Sequence, residues 1–210
     1  MNVIDNYLKK YLKLVDSGKF FRNVVKPAYK AIGWLHLLLP LLLLVFFYNV
    51  FADQYSHDDM HGLFGDHDGL IAFVLILIFA TTCLVAYLAI KFWNDRAKRL
   101  DVLLNNQSEF CVLPIIVAFT RNKGEGQGMV FAVMGVGLAI AMGLGLLCLS
   151  FVEQDYFADI IKVALLTLIL GPIAAIVGGY LIVLIHRFVS ESIGLMVSVA
   201  ANVSKIANKN

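Results

Sequence analysis

Four long apolar runs constrain this chain more than any motif in it. They are "AIGWLHLLLPLLLLVFFYNVF" at 31–51, "GLIAFVLILIFATTCLVAYLAIKF" at 69–92, "GMVFAVMGVGLAIAMGLGLLCLSFV" at 128–152, and a fourth at 158–186. Crossing a hydrocarbon core of about 30 Å takes about 20 helical residues, so each run is long enough. Backbone amides in lipid must pair within their own segment, and an apolar run of this length does that only as an α-helix. The expected fold is therefore all-α: a polytopic four-transmembrane-helix bundle. Composition agrees, because the 210 residues are 60% hydrophobic and 15% charged, against roughly 45–50% and about 25% in soluble domains.

Charge divides by region. The first thirty residues hold seven Lys or Arg, the segment from Lys91 to Lys123 six, and the tail from Arg187 three, which is sixteen of the seventeen cations. The connections on the other side hold Asp53, Asp58, Asp59, Asp66, Asp68, Glu153, Asp155 and Asp159, with Lys162 as their one cation. The two sides carry about +9 and −7. Cytoplasmic loops collect Lys and Arg, so both termini are expected in the cytoplasm. Trp34 and Trp93 then fall at the inner boundary, and Phe51, Tyr55, Tyr156 and Phe157 at the outer one, where amphipathic rings settle. A cleavable signal peptide ending at Val50-x-Ala52 is not expected, since the charged and apolar regions before it are both too long.

Three parts follow: a basic amphipathic segment at 1–30, a membrane bundle at 31–188, and a helical cytoplasmic tail at 189–210. In the first, Ile4, Tyr7, Leu8, Tyr11, Leu12 and Val15 recur at helical spacing, with Lys9, Lys10 and Lys13 on other faces. That pattern suits a helix on the inner leaflet or on the protein's own surface. In the tail, Val189, Ile193, Val197, Ala200 and Val203 form one stripe. The run at 109–120 is too short to cross and contains Pro114, so it is read as an interfacial or re-entrant segment. "NKGEGQG", 122–128, reads as a flexible cytoplasmic linker rather than a phosphate loop, because no strand precedes it.

Small residues are placed for helix packing. Gly135, Ala139 and Gly143 make one ridge in the third run, and Gly137, Ala141 and Gly145 a second; Gly171, Ala175 and Gly179, with Ala174 and Gly178, do the same in the fourth. Such ridges let backbones approach closely, either within the chain or between subunits. Pro40 and Gly171-Pro172 are candidate kinks. Tyr87-Leu88 and Tyr180-Leu181 stand 93 residues apart, each ahead of a charged extension, which suggests a parallel repeat of two hairpins.

Chemistry inside the bilayer is scarce. Away from their ends the runs hold no Asp, Glu, Lys or Arg; Thr81, Thr82 and Thr167 are their main polar side chains. A proton-coupled transporter or an intramembrane hydrolase would need a buried carboxylate or a nucleophile with its base. No enzyme is expected. Cys83, Cys111 and Cys148 lack any C-x-x-C spacing and read as filler. His36 and His186 could face a haem from two sides, but two independent boundary histidines are the simpler account. In the outer connection His57 and His61 are one turn apart, and Asp58, Asp66, His67 and Asp68 could complete a site for zinc or a similar divalent ion. The acids there need no metal to explain them; the histidines stay unexplained.

Arg187-x-x-x-Glu191, followed by apolar positions and then Asn202 and Ile206, resembles the ending of an uncharacterised family of small bacterial two-span membrane proteins, a domain of unknown function. The resemblance covers about twenty residues and implies a bacterial inner-membrane (plasma-membrane) protein, with no catalytic residue and no cofactor. This chain departs from it in having four runs and a long basic N-terminal segment. Together these features lead to a non-enzymatic membrane protein acting through homo-oligomerisation or a membrane-protein partner, with the lipid bilayer as its surroundings and nucleic acid not an expected partner. The alternatives are an oligomeric pore or small transporter whose acidic outer face attracts cations, and an extracytoplasmic metal-binding protein.

Overall fold

The computed structural model describes residues 19–56, 68–105, 112–152 and 156–207. They form five α-helices: α1 (Lys19–Leu35), α2 (Leu38–Ser56), α3 (Asp68–Asn105), α4 (Val112–Val152) and α5 (Phe157–Ala207). Among the described residues there is no strand. Four stretches are long and apolar enough to cross a membrane: Asn23–Asn49, Gly69–Leu100, Ile115–Phe151 and Phe157–Val199.

The break between α1 and α2 has a local cause. Pro40 has no N–H to give the carbonyl of His36, and its ring crowds that carbonyl. The chain answers with a tight turn in which Leu37 N donates to Trp34 O at 3.0 Å and Leu39 N to His36 O at 3.3 Å. Pro172 has a milder effect, and α5 continues through it.

Two expectations from sequence are corrected by α4. Residues 112–120 are not separate from the third run; they are the opening of the same helix that carries it. Pro114 is tolerated because it is third in that helix, where an N–H has no intrahelical acceptor. Residues 122–128 are likewise helical rather than a linker, for reasons that lie in the packing below. The N-terminal stripe of Ile4 to Val15 lies outside the described residues.

The described chain divides into two compact units. The first comprises residues 19–33, 90–105, 112–127 and 182–207; the second comprises 34–56, 68–89, 128–152 and 156–181. In the second unit the interior is made mostly of small residues, Ala86, Ala89, Ala139, Ala141, Ala164 and Ala175 with Thr82, Ser150 and the larger Val85, while Leu42, Tyr48, Ile76 and Phe151 face outward. A soluble core would have the large side chains inside. Lipid tails solvate Leu and Phe as well as a core does, which leaves close backbone approach as the means of holding helices together.

That approach is visible residue by residue. A Cβ on Gly135 would stand 2.6 Å from Ala175 Cβ, one on Gly171 2.6 Å from Ala139 Cβ, and one on Gly179 2.5 Å from the carbonyl oxygen of Gly128. A Cβ on Gly143 would meet Leu168 at 2.5 Å. This ridge of α4 therefore packs antiparallel on α5. The other ridge faces α3: Gly137 lies under the side chain of Thr81 and Gly145 under Val74. The hydroxyls of Thr81 and Thr82 return to their own helix, donating to Leu77 O at 2.9 Å and Phe79 O at 2.8 Å. Ala86 and Gly179, equivalent in the proposed repeat, are both buried, and their neighbours Tyr87 and Tyr180 both face outward.

Candidate functional site: an arginine–carboxylate hub

The first unit is built differently. Its core contains Tyr29, Trp93, Leu100 and Ile115 rather than a run of alanines. Tyr29 is fully buried, with the ring of Trp93 edge-on at 5.2 Å and that of Phe119 at 5.6 Å. Its hydroxyl accepts from Asn122 Nδ2 at 3.3 Å, a buried bond joining α1 to α4. The other amide atom, Asn122 Oδ1, is buried without a partner among the described residues.

Glu125 is the centre of this unit's electrostatics. Its side chain is 14% exposed, and three guanidiniums from three helices converge on it. Arg96 of α3 donates through Nη2 to Oε2 at 2.5 Å. Arg187 of α5 donates through Nη2 to Oε1 at 3.2 Å. Arg121, one turn earlier on α4, brings Nε to 3.9 Å from the same Oε1. Arg96 also lies over the Phe92 ring at 5.1 Å, a cation–π contact that helps to hold a mostly buried guanidinium. One carboxylate thus ties α3, α4 and α5 together.

Glycine makes room for this arrangement. A Cβ on Gly124 would run into the Cβ of His186, and one on Gly126 would press on Phe92 at 3.1 Å and Trp93 at 3.2 Å. Glycine in a helix costs about 1 kcal/mol relative to alanine, and here the close helix contact offsets that cost. Gly124 and Gly128 continue the α5-facing ridge of α4, and Gly126 turns to α3. The seven residues that read as a linker are the same seam extended.

The residues singled out in the sequence are distributed as follows. His57, Asp58, His61, Asp66 and His67 lie outside the described residues, and Asp68 is the first residue of α3. Among the described residues no three His, Cys, Asp or Glu side chains are grouped to hold a metal ion. His36 occupies the turn before α2; His186 belongs to the first unit, its Nδ1 2.9 Å from Ile182 O. Cys83 and Cys148 are unpaired and exposed. Lys162 pairs with Asp159 at 3.3 Å on the surface. The packing residues Gly135, Ala139, Gly143, Gly171, Ala175 and Gly179 all lie in the α4–α5 seam.

Glu125, Arg96 and Tyr29 were not apparent from the sequence. The helical continuity of the segment that carries Glu125 is legible, though its partners are not, since Gly124, Gly128, Ala132, Gly135, Ala139 and Gly143 step by four, four, three, four and four, which is one continuous helical face. Comparisons with protein-family models, curated proteins and solved structures gave no match to this chain. The class is defined by the fold alone: a helical bundle with four helices long and apolar enough to span a membrane.

Proposed function

We propose that this chain is a non-enzymatic integral membrane protein of a bacterial inner membrane, with both termini cytoplasmic, that acts by assembling with copies of itself or with a membrane-protein partner. One observation carries the reading. Helix α5 has 51 residues, and a bilayer core takes about 20 to 25 of them. Beyond that length Phe188, Leu195, Met196, Val199, Val203 and Ile206 remain 55–73% exposed. On another face of the same helix Ser190 is buried and Ile193 and Val197 are half-buried. Apolar side chains repeated along an extramembrane helix are stable in water only when another surface covers them.

The topology rests on the sixteen-to-one division of cations, and the bacterial location on the resemblance of the tail. The test is native mass analysis of the full chain in mild detergent. A mass above that of one 23.3 kDa chain, reduced to one chain by Leu195→Glu with Val199→Glu at unchanged helicity, is the expected result. A single-chain mass in wild type, with no partner recovered by crosslinking in membranes, rejects it.

A further inference from the structure

The hub holds more positive charge than its carboxylate neutralises. Three guanidiniums share Glu125, leaving an excess of two charges. Arg96 is four-fifths buried, bonded through Nη2 to Oε2 and stacked on Phe92, with its Nε buried and unpartnered among the described residues. Arg121 and Arg187 are different: their side chains are 51% and 54% exposed, and both approach the same oxygen, Oε1. Sharing one acceptor brings two like charges side by side. Their remaining N–H groups meet no other acceptor among the described residues.

The position along the helices says what could reach them. Arg187 directly follows the fourth apolar run, Arg96 lies four residues after the second run ends at Phe92, and Glu125 and Arg121 lie three and seven residues before the third begins at Gly128. At 1.5 Å per residue, all four stand within about 10 Å of the apolar boundary. That is the layer of lipid headgroups, which adds several Å to each side of the hydrocarbon core.

We propose that Arg121 and Arg187, aligned by Glu125, bind a phosphate group presented by an anionic phospholipid headgroup. Planar guanidiniums match phosphate oxygens in pairs, and basic pockets between helices at the cytoplasmic boundary suit such headgroups. The anion replaces the missing countercharge between the two arginines, and Glu125 holds both side chains in place before it arrives. This site is independent of whether the chain assembles.

The test uses the full chain in mild detergent, with phosphatidylglycerol, phosphatidylcholine or inorganic phosphate added, read by native mass analysis of bound lipid and, in a Trp34→Phe background, by the thermal transition of Trp93 fluorescence. Phosphatidylglycerol should remain bound and raise the transition, and Arg121→Gln with Arg187→Gln should weaken that binding about tenfold or more. Stabilisation by inorganic phosphate that the same substitutions abolish also supports the site and makes its source a soluble anion. Equal binding of the two lipids overturns the proposal. So does an equal loss in Lys98→Gln with Arg99→Gln, which lowers the unit's charge away from Glu125. If the glutamine pair does not fold, Arg121→Lys with Arg187→Lys keeps both charges but not the planar fork, and undiminished binding there also overturns it.

Discussion

The two units of this chain solve the same problem, holding antiparallel helices together, with opposite means. The second brings α3, α4 and α5 together by removing side chains, so that Gly135 meets Ala175 and Gly179 meets the backbone of Gly128. The first does it by adding them: Tyr29 against Trp93 and Phe119, and three arginines around Glu125. On the reading proposed above, the two units meet different solvents. Where lipid surrounds the helices, burying large apolar groups brings no gain and polar pairs are expensive. Where water and headgroups surround them, aromatic burial and charge pairing regain their value. Both devices use the same helix, α4, and the same glycine spacing.

Substitutions should separate the two devices, and the tryptophans provide a reading. Trp93 lies in the core of the first unit, so its emission in a Trp34→Phe background follows that unit alone. The largest effect is expected for Gly179→Leu, where the obstacle is a backbone oxygen that cannot move aside. A loss of about 3 kcal/mol or more is expected, seen as a lower helical melting temperature by circular dichroism, whereas Gly69→Ala, in the first turn of α3 with open space around it, should leave the transition unchanged or raise it slightly. An unaltered Gly179→Leu variant would break the account of the second unit. Next comes Glu125→Gln, which leaves Arg96 largely buried without its carboxylate. The cost of breaking such a pair, lessened because Arg121 and Arg187 are half exposed, is about 2–3 kcal/mol, and it should appear in Trp93 emission before bulk helicity falls. Tyr29→Phe keeps the ring contacts but strands Asn122 Nδ2, so about 1–2 kcal/mol is expected in the same Trp93 transition. The smallest effect belongs to Arg99→Gln, which removes an exposed pair with Asp95 at 2.9 Å. Less than about 0.5 kcal/mol should follow, and a larger shift would mean that surface charge, rather than the hub, stabilises the first unit.

What was legible in the sequence followed the same division. The second unit is nearly all pattern: four apolar runs, small residues every four positions, and threonines with no partner but their own helix. Such features repeat along the chain and need no knowledge of what faces them. The first unit depends on pairs remote in sequence, such as Tyr29 with Asn122 or Glu125 with Arg187, and no periodicity announces either. Glycine misled most directly. Three glycines between 122 and 128 read as a break, because helix propensity penalises them. Their tertiary role, admitting His186, Phe92 and Trp93, outweighs propensity, and a ridge counted from Gly143 back to Gly124 would have shown it. Pro40 and Pro114 illustrate both outcomes of one residue type: the first breaks the helix upstream of it, and the second sits where a helix has no need of its N–H.

The double ridge of α4 also limits how that helix can move. Small residues occupy the faces against α3 and α5, while Ile140 and Met142 point outward between them. Turning α4 about its own axis by a single residue, 100°, would drive such a side chain into a seam that already excludes a methyl group. Within the second unit α4 is therefore keyed against rotation, like a splined shaft, and a load on it is passed on by bending or by displacement along its length.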